Sequence, residues 1–343
     1  ARTASARDIG ADLGAAMRVA MIGAGAMGSV FGSRLARAGA EVVLFDADRT
    51  HIEAITIGGL HVDAPDGSAT LQLDATTNAE AMGEADLAVI LVDSNATTEA
   101  AKVAKDVLGK NGAALTLQNG IGNVEVLSKA LGAKRVIAGV TYNSAARLRA
   151  GHVLHSNIGE TVIGEIDGSA SARVSEIARL LRAAGLPVTV SDNVMGHVWL
   201  KFVLNAAINP VSAMTGLRPG EIARVPPARE LLQRVLDEVL TVVAVKGVTL
   251  PLDDPRRHVL DHAWERYNRP SMLQHVEEGR RTEIDALNDA LLKEAQALGV
   301  AVPFNEAVVL AIKSIEARNA ARATSPRVDE TALEAKARGE KRP

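Results

Sequence analysis

Lys201, Asn205 and Asn209 recur every four residues in the apolar run His197-Val198-Trp199-Leu200-Lys201-Phe202-Val203-Leu204-Asn205-Ala206-Ala207-Ile208-Asn209-Pro210. On a helix that spacing stacks one ammonium and two amides along a single face. Burying such groups without partners is costly, so the stripe must meet something polar, whether protein or ligand. A lysine ammonium can polarise a ketone carbonyl and protonate the alkoxide left when a hydride adds to it. The alternative is a snorkelling surface lysine, which the flanking Leu200, Phe202, Val203 and Leu204 disfavour.

Hydride chemistry brings a second set of residues into play. Gly23-Ala24-Gly25-Ala26-Met27-Gly28 follows the strand-like run 17–22 and opens a helical pattern, the context that Gly-x-Gly-x-x-Gly requires. Gly23 would permit the tight turn, Gly25 the approach of a pyrophosphate, and Gly28 close contact of helix and strand. The phosphates would rest on the helix N-terminus, where free N–H groups and the dipole favour anions. Asp46 lies 18 residues past Gly28, at the end of the second strand, where an acid accepts hydrogen bonds from an adenosine ribose. It would repel a 2′-phosphate, so NAD(H) is favoured over NADP(H), although the nearby Arg49 could recognise phosphate. Asn119 in "LQNGIGN" follows the strand 113–118, at the carboxyl end where open α/β sheets bind ligands. A plain Asn-Gly turn is its alternative.

These residues need a scaffold, and the chain supplies material for two domains: 343 residues, 47% hydrophobic and 23% charged. Strand-like runs at 17–22, 41–46, 87–92, 113–118 and 135–140 alternate with helical stretches such as 97–108, which predicts an α/β, Rossmann-type doubly wound sheet over 17–190. Residues 149–168 read as strands with turns. Helical patterns at 193–215, 227–247, 255–267, 271–298 and 304–320 predict an all-helical substrate and catalytic domain over 191–320. Residues 1–16 are expected to be an extension outside the fold, and residues 321–343 a flexible charged tail.

A net charge of -3 argues against nucleic acid or an anionic membrane as partner. No apolar run approaches the roughly 20 residues that span a bilayer. There is no cysteine, which excludes disulfides and cysteine-based metal sites and fits a cytoplasmic protein. No metal site is expected. A small molecule is then the expected partner, and the apolar helical domain could support a homodimer.

Several stretches together resemble the ketopantoate reductase (2-dehydropantoate 2-reductase) family: "GAGAMGSVFGSRLARAGAEV", "LQNGIGN", "GVTYNSAARLRAGHVLHSNIGETVIGE", "LKFVLNAAINPVSAMTG" and "NRPSMLQHVEEGRRTEID". The resemblance covers roughly residues 17–320. It implies reduction of ketopantoate to D-pantoate, on the route to pantothenate. It makes Lys201 the general acid, Glu283 the acid beside substrate and lysine, and Asn119 a neighbour of the nicotinamide. It also places Asn205, Asn209, Asn268 and Ser271 around the 2-keto acid, with the lysine stripe facing a cleft between the domains.

The residues themselves leave some roles open. Stepping about 100° per residue along a helix spanning 271–298, Glu283 falls between Val276 and Leu287 on the apolar stripe. Its cationic partner there is Lys201 or, three residues away, Arg280. Ser271 begins a capping-box pattern with Gln274, compatible with a ligand contact. His155 and His197 lie off the lysine stripe and read as structural. Family members often carry an arginine just after the second strand and "VKS" after the next; here Asp46-Ala47-Asp48 and Val92-Asp93-Ser94 stand instead. An NAD-dependent D-2-hydroxy-acid dehydrogenase of the D-mandelate type is therefore a competing reading, with the β-hydroxy-acid dehydrogenases more distant. A non-catalytic dinucleotide sensor is the reading from another class, and it would have no use for the lysine stripe.

Overall fold

The computed structural model describes residues 16–324. The expectations for residues 1–15 and 325–343 lie outside the described residues. Residues 321–324, expected in the tail, instead complete the helix Pro303–Thr324.

Twelve strands run in chain order: β1 Arg18–Ile22, β2 Glu41–Phe45, β3 Leu60–Asp63, β4 Ala69–Leu71, β5 Asp74–Thr76, β6 Ala85–Ile90, β7 Leu108–Thr116, β8 Val136–Thr141, β9 Ser144–Arg149, β10 His152–Asn157, β11 Thr161–Glu165 and β12 Val188–Val190. Eight form one sheet in the order β12-β11-β8-β7-β6-β1-β2-β5. From β8 to β5 all neighbours are parallel, whereas β11 runs antiparallel to β8. The central strands are buried on both faces, which is why they read as apolar runs without alternation. Val19 and Met21 join Leu87, Val89, Leu115 and, from the helix Ala26–Arg37, Phe31 and Leu35. Ala20 and Ile22 face the other way, with Ala88, Ile90 and the helix residues Ala100, Ala101 and Ala104. Small residues on that helix let it lie close to the sheet. This is the doubly wound α/β arrangement.

After β2 the chain returns to place β6 on the other side of β1, creating a topological switch point at β1/β6, where open sheets take their ligands. The turns after β1 and β6 meet there: Leu91 N donates to Ile22 O at 2.9 Å.

A second sheet, in the order β4-β3-β10-β9, was not foreseen over residues 60–71. β3, β4 and β5 are three or four residues long and carry no apolar run. β3 pairs with β10 and β5 with β2, both distant in sequence, while β4 pairs with the neighbouring β3. Leu60, Val62 and Val153 seat this sheet on Phe31 and Leu35.

Two compact units divide the described residues: one runs up to residue 202 and includes 248–253, and the other comprises 203–247 and the residues from 254 onward. The division falls within the helix Val194–Thr215, not at residue 190, because Val194, Met195 and Val198 pack on strand residues of the large sheet. The second unit is helical: Pro219–Ile222, Pro226–Lys246, Pro255–Glu265, Ser271–Glu277, Asn288–Leu298 and Pro303–Thr324, besides the end of Val194–Thr215. Proline at the first position of Pro226–Lys246 and Pro255–Glu265 starts each helix where its missing N–H costs nothing. Within this unit Glu238 accepts from Phe304 N and Asn305 N at 2.9 Å each, tying the start of the last helix to Pro226–Lys246.

One expected helix is two. The pattern over 271–298 breaks after Glu277, where Gly279 takes φ 69° and Arg280 N donates to His275 O at 2.8 Å. That is a Schellman stop, with glycine supplying the left-handed residue. Ile284 and Leu287 are still buried, but from a turn. Apolar spacing persisted where the helix did not. No described helix is long and apolar enough to cross a membrane.

Candidate active site

The three glycines of the loop after β1 do different things. Gly23 has φ 96°, and a Cβ on it would lie 2.6 Å from Val92 N, against the turn after β6. A Cβ on Gly28 would lie 1.8 Å from Gly23 O. Both glycines are demanded by the protein itself. Gly25 is not: a Cβ there would meet nothing within 4 Å. It is the N-cap of the helix Ala26–Arg37, and no side chain caps that end. Ala26 and Met27 beside it are half-buried, and Ala24 is buried. Open space over an uncapped helix N-terminus suits a pyrophosphate. The loop therefore fits a dinucleotide.

A buried chain of polar groups fixes the loop. Gly151 N donates to His51 Nδ1 at 3.1 Å, so His51 carries its hydrogen on Nε2 and offers it to Ser29 Oγ at 3.2 Å. The Ser29 hydroxyl donates in turn to Ala24 O at 2.8 Å. Burial, reinforced by the Arg147 charge, pushes the His51 pKa down and keeps the ring neutral, as this relay requires.

At the end of β2, Asp46 is half-buried, and its Oδ1 accepts from Asp48 N at 2.9 Å. Asp48 caps the helix Arg49–Gly58 through His51 N and holds Arg147 Nη1 at 2.6 Å. Those bonds, the His51 amide first, hold the Asp48 pKa below the usual carboxylate range. Arg49 is exposed at the start of its helix.

Asn119 lies just past β7 and is half-buried. Its carbonyl oxygen accepts from Ser94 Oγ at 2.7 Å and from Asn123 Nδ2 at 2.8 Å. Gln118 Nε2 reaches back to Val92 O at 2.9 Å, and Thr97 Oγ1 sits 2.7 Å from Asn123 Oδ1. This network locks the turns after β6 and β7 together at the carboxyl edge of the sheet.

Lys201 is half-buried on the helix Val194–Thr215, with Phe202 and Val203 buried beside it. Its Nζ donates to Thr141 O, at the end of β8, at 2.6 Å and lies 5.8 Å from the centre of the Tyr142 ring. Asn143 steadies this corner through bonds from Nδ2 to Thr141 Oγ1 at 2.7 Å and to Gly159 O at 2.8 Å. Behind it, His155 Nε2 donates to Asn143 Oδ1 at 2.8 Å, and Arg34 Nε donates to His155 Nδ1 at 3.1 Å. His155 is thus structural, and burial with the Arg34 charge pushes its pKa down. Burial does the same to His197. Further along the same helix, Asn205 and Asn209 are half-buried while Ala206, Ala207 and Ile208 are buried. The polar stripe is less covered than the apolar flanks.

The remaining expected residues lie in the helical unit. Glu283 is half-buried in the turn after the Schellman stop, so the helical argument for its position fails. Its backbone oxygen accepts from Ala286 N and Leu287 N at 3.1 Å. Arg280, the local candidate partner, instead binds Glu278 at 2.9 Å. Ser271 is not an N-cap: Pro270 takes that position, Ser271 is the first helical residue and exposed, and Gln274 Nε2 donates to Arg269 O at 2.8 Å. Proline before the serine moves the helix start by one residue. Asn268 is exposed in the preceding bend.

Two family models match the chain: Ketopantoate reductase PanE/ApbA over residues 19–168, and its C-terminal counterpart over residues 193–316. A 2-dehydropantoate 2-reductase from Archaeoglobus fulgidus is 34% identical over 299 residues, which is 87% of this chain and 98% of that protein. The chain belongs to the ketopantoate reductase family. A relative of the same name from Halobacterium salinarum is also 34% identical, covering 84% of this chain and 95% of its own. The crystal structure of a PanE/ApbA family ketopantoate reductase from Ralstonia eutropha superposes with a TM-score of 0.83 at 34% identity, covering 88% of this chain and 99% of that one. D-mandelate dehydrogenase with NADH and anilino(oxo)acetate reaches a TM-score of 0.82 at 24% identity, a likeness of fold.

Ketopantoate reductases are pyridine-nucleotide-dependent oxidoreductases, and this chain is an enzyme of that class. The first family match contains the glycine loop, Asp46 and Asn119; the second contains Lys201, Asn205, Asn209, Asn268, Ser271 and Glu283. Sequence reasoning passed over Ser29, His51, Ser94, Asn123, Thr141 and Asn143, which hold the loops and the lysine. Their partners are mostly 20 to 100 residues away, and nothing in the local pattern pairs them.

Proposed function

We propose that this enzyme reduces a branched 2-keto acid, ketopantoate before others, to the D-2-hydroxy acid, with Lys201 as general acid. The observation that carries this reading is the Lys201 ammonium, half-buried on an apolar helix and aimed by the Thr141 carbonyl. The nicotinamide cofactor supplies the hydride when bound. Lys201 Nζ polarises the ketone oxygen and transfers its proton there as charge develops, leaving a neutral amine that is reprotonated from solvent. The Thr141 carbonyl takes one of the ammonium's three donors and so fixes where Nζ lies. Gly25 and the N–H groups of Ala26, Met27 and Gly28 would hold the pyrophosphate. Asn119 would stand by the nicotinamide, Asn205, Asn209, Asn268 and Ser271 around the keto acid, and Glu283 would favour the charged lysine.

Asp46 at the ribose position favours NAD(H) over NADP(H) in this reading, and the Asp48–Arg147 ion pair supports it by engaging the neighbouring arginine. The same residues also suit an NADH-dependent D-2-hydroxy-acid dehydrogenase. A panel of 2-keto acids, ketopantoate included, assayed with NADH and NADPH in parallel decides between them. Highest kcat/KM on ketopantoate supports the proposal. Highest kcat/KM on an aryl keto acid, with ketopantoate inert, overturns the substrate assignment and leaves the lysine chemistry standing.

A further inference from the structure

On the outer face of the small sheet, the register aligns Thr70, His61, His152 and Arg149 across β4, β3, β10 and β9. Leu60, Val62 and Val153 point into the core, so His61 and Asp63, two residues apart on β3, share the outer face with His152. His152 Nε2 lies 2.7 Å from Asp63 Oδ2, and His61 Nε2 lies 3.3 Å from Asp63 Oδ1. The three ligating atoms fall within 4.8 Å of one another, and the imidazole rings meet edge to face at 4.5 Å. His152 is 89 residues from Asp63, and only strand pairing brings them together.

The geometry points to a divalent transition-metal site, zinc in the first instance, formed by His61, Asp63 and His152. Two imidazoles and one carboxylate suit zinc, with water in the fourth tetrahedral position. Supporting groups are already in place. Thr70 Oγ1 is 2.8 Å from His61 Nδ1, a bond that directs Nε2 toward the shared centre, and the Ser68 hydroxyl donates to Asp63 Oδ1 at 2.6 Å. None of these residues belongs to the cofactor or lysine machinery.

Arg149 opposes the metal. Its Nε donates to His152 Nδ1 at 3.4 Å, which leaves the His152 hydrogen on Nε2, facing Asp63. Binding moves that hydrogen to Nδ1 and displaces the exposed Arg149 side chain. Removing the arginine should therefore tighten the site.

The test uses the full chain, free of any histidine tag and stripped with chelator, titrated with Zn²⁺ by calorimetry and with Co²⁺ by visible absorption. The expected result is one tight site per chain, a tetrahedral Co²⁺ spectrum and a Tm raised by Zn²⁺. His152→Ala and Asp63→Asn should each weaken binding by more than about tenfold. Arg149→Ala should strengthen it, in a variant that adds affinity rather than removing a ligand. A wild-type chain without stoichiometric binding overturns the site. So does binding unchanged by all three substitutions, which would mean zinc held elsewhere. If His152→Ala fails to fold, the wild-type Co²⁺ spectrum and the Arg149→Ala titration decide alone.

Discussion

Lys201 Nζ lies 2.6 Å from the carbonyl oxygen of Thr141, joining a helix to the end of β8. A lysine has four rotatable carbons, and one fixed hydrogen bond removes much of that freedom before substrate arrives. The carbonyl is itself held, since Asn143 binds both Thr141 Oγ1 and Gly159 O and is backed by His155 and Arg34. Rigid support of this kind is what the proposed proton donor needs.

The glycine loop separates structural from ligand-facing positions, and two substitutions read them apart. Gly28→Ala forces a methyl into Gly23 O, so stability should fall by about 1–3 kcal/mol. Gly25→Ala meets no protein atom, so its Tm should stay close to wild type apart from a weaker N-cap. Cofactor affinity should nevertheless fall by about tenfold or more, ~1.4 kcal/mol. Fluorescence titration with the reduced cofactor beside thermal melts checks both. Unchanged affinity in Gly25→Ala would take the pyrophosphate off this loop.

The proposed preference for NAD(H) rests on Asp46. NADH should give the higher kcat/KM, and Asp46→Ala should narrow the gap toward NADPH. A tenfold preference is only about 1.4 kcal/mol, so one ribose contact can set it. A tenfold preference for NADPH in the wild type would mean that Arg49 or another base governs the site.

The glycine loop, the strand rhythm and the lysine stripe could all be read in the chain because each is a local pattern repeated within twenty residues. The small sheet could not. Its strands β3 and β4 are three or four residues long and partly exposed, and β3 pairs with β10 some ninety residues away. Glu283 shows the opposite failure. Val276, Ile284 and Leu287 keep a helical spacing, yet Gly279 and Arg280 close a Schellman stop between them, and burial is reached through a turn. Periodicity reports which residues are buried, and the backbone that buries them is decided by long-range contacts. The same limit hid the Gly151–His51–Ser29–Ala24 relay, whose ends are more than 120 residues apart.

Buried histidines set the acid side of stability. Burial lowers the folded pKa of His51 and His155, with Arg147 and Arg34 adding to it, and lowers that of His262 to about 4. The unfolded chain takes up these protons first, near pH 6.5, so stability is complete above that value. It is lost as pH falls toward the folded pKa values. Each fully buried ring contributes up to about 1.4 kcal/mol per pH unit in that window. Urea unfolding at pH 7.5 and pH 5 should show a clear drop, and His155→Gln should flatten it. A stability profile level from pH 7.5 to 5 would contradict the neutral-ring assignments.

Glu283→Gln keeps shape and removes charge. If Glu283 supports the charged lysine, kcat/KM should fall by about tenfold or more, ~1.4 kcal/mol, with cofactor affinity and Tm near wild type. The basic limb of the pH–rate profile should also move to lower pH. A lowered Tm with unchanged kcat/KM in the folded fraction would make Glu283 a structural residue of its turn.

Lys201 as proton donor is tested by kcat of Lys201→Ala across pH beside wild type. A loss of about 10²–10⁴ in kcat is expected, the usual share of general acid catalysis, with cofactor affinity unchanged because the glycine loop is intact. Wild-type kcat should fall as pH rises and the lysine loses its proton, and the variant should lose that limb. A Lys201→Ala enzyme that reduces the same keto acid near the wild-type rate, with the same pH profile, would contradict it.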